Sequence, residues 1–192
     1  MGPEKITNSR IVLSVEQPCA APLVLDLYLR NRLCFEQFEP TRPDNFYTLE
    51  YHRFSLHREY IAFVANSFLR YYIYDITNPD QIIGSVNFNL FSTGLASYCE
   101  IGYKLDVLYQ HRGIAEEACR LGMQVIQRDY GIYRFDARIS PDNHASVRLA
   151  ERLGLKPYRL EPQSANVRGQ LIDIMRYSVT TSDTQYPNRP VI

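Results

Sequence analysis

The sequence predicts an α/β (more closely α+β) domain, with a mixed, mostly antiparallel central sheet of about six or seven strands and flanking helices. Three observations carry that expectation. Helical patterns occupy roughly residues 20 to 68, and aromatic and β-branched runs separated by turn residues follow. The chain then closes as strand, helix, strand, helix, strand. With 192 residues and a hydrophobic fraction of 45%, there is material for one full core. A single domain over residues 1–180 is therefore expected. Residues 181–192 form a polar, proline-containing tail with no packing pattern, expected to be flexible.

Each element has a local reason. "RIVLSV" (Arg10 to Val15) is a short β-rich run. From Ala20 to Phe38, the apolar residues Leu23, Leu27, Leu33 and Cys34 give a helical period that Pro40 and Pro43 break. A second helix is expected from an N-cap at Asp44 through Phe46, Leu49, Phe54 and Leu56 toward Phe63. "RYYIYDI" and "QIIGSVNFNLF", joined by Asn78-Pro79-Asp80, read as a hairpin. A turn at Ser92-Thr93-Gly94 leads to a third strand, "ASYCEIGYKLDV". The loop "YQHRGIA" then opens a long helix that runs to about Tyr130 and stops at Gly131. "IYRFDARI" is a strand, and "PDNHASVRLAERLGL" a short helix with Asp142 or Asn143 at its start and Gly154 past its end. "QLIDIMRYSV" alternates as the final strand.

Composition excludes several classes of function. The formal net charge is +0 and the pI about 6.9, so no overall field favours nucleic acid or a membrane surface. The 15 tyrosines are not interleaved with a basic patch, which disfavours stacking on nucleic acid. Lysine occurs only at Lys5, Lys104 and Lys156. The arginine bias leans toward fork-shaped contacts with phosphate or carboxylate, although base composition produces the same bias. Cys19, Cys34, Cys99 and Cys119 form no C-x-x-C pair and read as reduced thiols. His52, His57, His111 and His144 show no metal-ligand spacing. No signal-like or bilayer-spanning run is present, so a cytoplasmic protein is expected.

The segment from Gln110 to Ala115 carries the strongest chemical signal. A loop from strand to helix leaves the first helical N–H groups unpaired, and these form an anion site best matched by phosphate. Gly113 removes the Cβ that would keep a ligand from the backbone, Ala115 is the next-smallest choice, and Arg112 adds a fork donor. An ordinary strand–helix connection with a surface arginine is the plain alternative.

This loop does not stand alone. "DARISPDNHASVRLAERLGL" adds N-x-x-S at a helix start. Together they resemble the GNAT superfamily of acyl-CoA-dependent N-acetyltransferases. "NRLCFEQFEPTRPDNFYT", "IIGSVNF", "CEIGYKLD" and "RGQLID" are similar in order and spacing to its RimJ/RimL branch, whose members acetylate protein N-termini, notably of ribosomal proteins. The resemblance covers most of the chain. It implies acetyl-CoA as cofactor, with Gln110, His111, Arg112, Gly113, Ile114 and Ala115 around the pyrophosphate. Asn143 would contact the pantetheine arm, and Arg148 a nucleotide phosphate. Helix capping by Asn143 and solvation of Arg148 are the competing readings. The departures are Phe38 and Leu171 in place of tryptophans, Ala115 for a second loop glycine, and "QSANVRG", which holds no acid where ribosomal members can carry a catalytic glutamate.

Within that resemblance Glu100 is the candidate base, directly or through water; the alternative is a salt-bridged strand glutamate. Ser146 is the candidate donor to the departing thiolate, with Tyr103, Tyr133 and Tyr158 as rivals. The residues from about 20 to 68 form the expected acceptor wall. The expected acceptor is a protein or peptide N-terminal amine. A small amine (polyamine, amino acid or antibiotic) or a non-catalytic acyl-CoA sensor are the alternatives, and a monomer or homodimer without nucleic-acid or membrane partners is expected.

Overall fold

The computed structural model describes residues 2–92 and 96–182. An eight-stranded sheet organises them, one strand more than the sequence expectation, in the order β1-β2-β3-β4-β5-β6-β8-β7. Its strands are β1 (Lys5–Thr7), β2 (Ile11–Ser14), β3 (Phe68–Asp75), β4 (Asn78–Ser92), β5 (Ser97–Leu105), β6 (Arg134–Ile139), β7 (Lys156–Val167) and β8 (Gln170–Thr180). Neighbours pair antiparallel except β5 and β6, which run parallel because helix α4 (Ile114–Tyr130) makes the crossover between them. The remaining helices are α1 (Ala21–Arg30), the single turn α2 (Arg32–Phe35), α3 (Leu49–Val64) and α5 (His144–Arg152). No helix among the described residues is long and apolar enough to cross a membrane.

Strand alternation sorts the sheet into two faces. One carries Leu69, Tyr71, Val86, Phe88, Cys99, Ile101, Phe135 and Ala137, and packs against α4 and α5. The other carries Tyr72, Tyr74 and Ile82 under α1 and α3, with Leu27, Tyr28, Phe46 and Leu56 filling the layer. β5 presents Cys99, Ile101 and Tyr103 to the first face, and Glu100, Gly102 and Lys104 to the second.

Four expectations are corrected. The N-cap of α3 is Thr48, whose hydroxyl accepts from the Tyr51 N–H at 3.2 Å. Asp44 instead lies in a turn closed by Phe46 N–H on the Pro43 carbonyl, which turns Phe46 into the aromatic layer 4.9 Å from Tyr28. Strand β7 was not expected from the pattern. It is an edge strand exposed on both faces for most of its length, so no alternation marks it, and an edge tolerates Pro157 and Pro162. The short β1 was likewise not expected. Thr181 is not part of a loose tail: it is buried, accepts from Gln127 Nε2 and donates to the Tyr133 carbonyl at 3.0 Å. The expected turn at Thr93-Gly94 and the tail beyond Ser182 lie outside the described residues.

Candidate active site

Strands β5 and β6 pair only at Cys99 with Phe135 and Glu100 with Asp136, and then separate. Beyond that point a cavity of about 650 Å³ opens between them, lined by residues 101–105 of β5 and 137–139 of β6. Every second backbone amide of β5 faces this gap instead of a neighbouring strand. A ligand arm carrying its own amides therefore meets a strand edge there.

The loop from Gln110 closes one end of the gap. Gln110, His111, Gly113, Ile114 and Ala115 all line it, as expected. Gly113 is the N-cap of α4, in the left-handed conformation (φ 78°) and without a side chain to cap. In contrast, Thr48 and Asn143 cap α3 and α5. The first N–H groups of α4 thus point outward with no intrahelical or capping partner. Glu116 and Glu117 follow in the first turn, but their charge is drawn off: Glu116 pairs with Arg120 and Arg152, and Glu117 with Arg10. Arg112 stands apart from its neighbours in the loop. It does not line the gap, and its guanidinium sits 5.2 Å from the centre of the Tyr109 ring.

The start of the loop is anchored from α1. Arg30 donates to Asp106 Oδ2 and to the Ile82 carbonyl, each at 2.9 Å. Buried Asn31 accepts from the Val107 N–H at 2.9 Å. Burial alone would raise the Asp106 carboxyl. The Leu108 N–H, Asn31 and Arg30 together hold it below the usual carboxylate range.

On the opposite wall, Asn143, Ser146 and Arg148 all line the gap. Asn143 caps α5 by accepting from the Ser146 N–H at 3.1 Å. That bond uses only Oδ1, so the competing readings of Asn143 coexist: Nδ2 stays available to donate. Tyr103 also lines the gap, and its hydroxyl donates to the Ser146 carbonyl at 2.9 Å. Burial, with Cys119 adding, raises its pKa well above the ordinary phenol. Tyr133 and Tyr158 do not line the gap; the Tyr158 hydroxyl is given to Asp136 at 3.0 Å.

Glu100 lies one residue before the lining segment, on the face of α1 and α3, and accepts from Arg176 at 3.1 Å. Arg176 also bonds Glu161, which pairs with the gap-lining Arg138, so a chain of alternating charges runs along this edge. Sequence reading missed that chain because its members lie on four strands. The wall from α2 and the segment after it adds Cys34, Phe35, Phe38 and Glu39. Lys104 bonds Glu39 at 2.7 Å and the Tyr28 hydroxyl at 3.1 Å, and Arg42 pairs with Glu39 as well.

Comparison with known proteins matches this arrangement. Residues 32–156 fit the model of the acetyltransferase (GNAT) domain. A probable N-acetyltransferase, YjcK, of Bacillus subtilis is 27% identical over 161 residues, covering 84% of this chain and 88% of the relative. The [ribosomal protein uS5]-alanine N-acetyltransferase of Escherichia coli is 26% identical over 184 residues, covering 93% and 92%. Among solved structures, RimL, a ribosomal L7/L12 α-N-protein acetyltransferase in complex with coenzyme A, superposes with a TM-score of 0.83 at 22% identity, covering 92% of this chain and 98% of that one. With its splayed parallel strands, uncapped glycine loop and matching domain, the chain belongs to the GNAT family of acetyltransferases.

Proposed function

We propose that the chain acetylates the α-amine of a protein or peptide N-terminus, of the ribosomal-protein type, by direct attack of that amine. The observation that carries this reading is the gap itself. One wall is a backbone-built cofactor cradle, and the other, from α2 and the segment after it, carries Glu39 paired with Lys104 and Arg42, a mixed-charge wall that suits a polypeptide end. The uS5-directed relative, similar over nearly its whole length, supports it.

The residues divide the work. The N–H groups from Gly113 to Ala115 hold the pyrophosphate, and the loop's missing side chain lets it approach. Asn143 Nδ2 and the free amides of β5 orient the pantetheine arm, and Arg148 serves an outer phosphate. Bound acetyl-CoA supplies an acetyl group activated as a thioester. Glu100, held by Arg176, takes the amine's proton through a water, and the Ser146 hydroxyl or that of Tyr103 returns one to the departing sulfur. The demand on Glu100 is small. An α-amine titrates near 7.7–8.0, so on the order of a tenth is neutral at pH 7, against well below a thousandth of a lysine side chain.

A peptide with a free N-terminus is therefore acetylated, while the same peptide blocked there but carrying an internal lysine is not; mass spectrometry locates the added group. Efficient modification of the blocked peptide would overturn the reading. Modification of neither, with acetyl transfer to a polyamine or amino acid, would move the acceptor to a small amine.

A further inference from the structure

We infer that Arg10, contributed by the N-terminal segment, is a positioning residue that aims the cofactor loop from behind. The inference rests on the assignment of residues 110–115 to the cofactor's pyrophosphate. That loop is conformationally costly, because His111 (φ 62°) and Gly113 (φ 78°) both occupy the left-handed region. A non-glycine residue there persists only where its surroundings over-determine it. The start of the loop is fixed by Asn31 and Asp106, and Arg10 fixes its end.

Arg10 Nη2 donates to the Arg112 carbonyl at 2.9 Å, and Nη1 donates to Glu117 Oε2 at 2.9 Å. Asn8 Nδ2 holds the other Glu117 oxygen at 2.6 Å. Asn8 Oδ1 in turn accepts from the Arg10 and Ile11 N–H groups at 2.8 and 2.9 Å, which makes the platform rigid. The decisive point is peptide geometry. In a planar trans peptide the carbonyl and the following N–H point in opposite directions. By gripping the Arg112 carbonyl on the outer side, Arg10 turns the Gly113 N–H toward the gap. Arg10 does not line the gap; it lines an adjoining shallow hollow with Glu117 and Gln124, and Gly113 and Glu116 border both. A planar fork is needed, because two acceptors on different elements are held at once.

The test is calorimetric titration with coenzyme A and with 3′-dephospho-coenzyme A. Arg10→Met should weaken both about tenfold, the loss of charge-assisted hydrogen bonds that fix the loop. The kcat at saturating acetyl-CoA should be unchanged. Arg10→Lys should recover only part of the affinity, because one ammonium cannot hold both acceptors. Glu117→Gln cuts the tether from its other end while leaving the Arg10 charge beside the loop, so it should also weaken binding. The double variant should be no weaker than Arg10→Met. Unchanged affinity in Arg10→Met would overturn the inference. So would a loss confined to coenzyme A with its 3′-phosphate, which would make Arg10 a direct phosphate ligand. A gain in affinity on Glu117→Gln would do the same. Should Arg10→Met fail to fold, Glu117→Gln decides alone. If Gly113→Val leaves affinity intact, it is the loop assignment that fails, whatever Arg10 does.

Discussion

The two faces of the sheet meet at the gap and are built by different means. On the side of α4 and α5, the groups proposed to hold the cofactor are mostly backbone: the uncapped start of α4 and the open edge of β5. Ion pairs between side chains dominate the side of α1 and α3: Glu39 with Lys104 and Arg42, Glu59 with Arg70, Glu100 with Arg176. Among the described residues, all five buried side-chain polar atoms without a hydrogen-bond partner belong to this second face. They are Arg42 Nε, His52 Nε2, Arg70 Nε, Ser85 Oγ and Arg176 Nε. A backbone cradle suits a ligand that never changes. An incompletely satisfied layer of side chains costs stability and is readjusted by substitution, which suits the half proposed to meet the acceptor.

The largest effect that would sharpen this contrast is on rate. Glu100→Gln keeps an oxygen for Arg176 but removes the base, so kcat should fall about 10²–10⁴-fold if Glu100 takes the proton. Affinity for acetyl-CoA should hold, because Glu100 does not line the gap. Glu161→Gln is the matched control, since it strips the same arginine of its other carboxylate. A rate lost in Glu161→Gln and kept in Glu100→Gln, across the pH profile, would exchange the two roles.

A smaller effect separates cradle from conformation. Gly113 and Gly131 sit at opposite ends of α4, both at positive φ, and an added Cβ at either meets nothing within 4 Å. Gly113→Ala and Gly131→Ala should therefore cost similar stability, about 1 kcal/mol each, for forcing a side chain into the left-handed region. Only Gly113→Ala should also weaken coenzyme A, by about tenfold or somewhat more, because it stands on the cradle. Equal affinities for the two variants would mean that the Gly113 backbone does not touch the ligand.

The same contrast decides what could be read from the sequence. That Gly113 and Asn143 sit at helix starts was legible because a glycine at a helix start and an N-cap are local chemistry, written within a few residues of their effect. The long-range pairs were not. Glu100 and Arg176 are 76 positions apart, as are Arg30 and Asp106, and no spacing rule joins them. The missed β7 has a related cause: an edge exposed on both faces buries nothing that would impose a period of two. Thr48 competed with Asp44 for one helix start. The choice fell to the hydroxyl that met the Tyr51 N–H, while the Pro43 turn carried Phe46 into the core.

The last effect is on stability alone, and concerns pH and the buried layer under α1 and α3. His52 is buried, stacked on Tyr28 with ring centres 5.3 Å apart, and its Nε2 has no partner. Burial, with Arg42 and Lys104 adding, pushes its pKa down to about 4. The sign follows from which state binds the proton. Below the ordinary histidine value near 6.5 the unfolded chain takes one up and the folded chain does not. Stability should then fall as pH drops from about 6.5 to about 4, by at most about 1.4 kcal/mol per pH unit from this group. His52→Phe keeps the stack and removes both the titration and the unpaired nitrogen. Urea unfolding over a pH series should show equal or slightly higher stability than the parent at pH 8 and a shallower loss between pH 6.5 and 4. Parallel curves would mean that the folded layer under α1 and α3 admits the proton. That layer would then be open to water, and the difference between the two faces would be one of composition, not of solvent access.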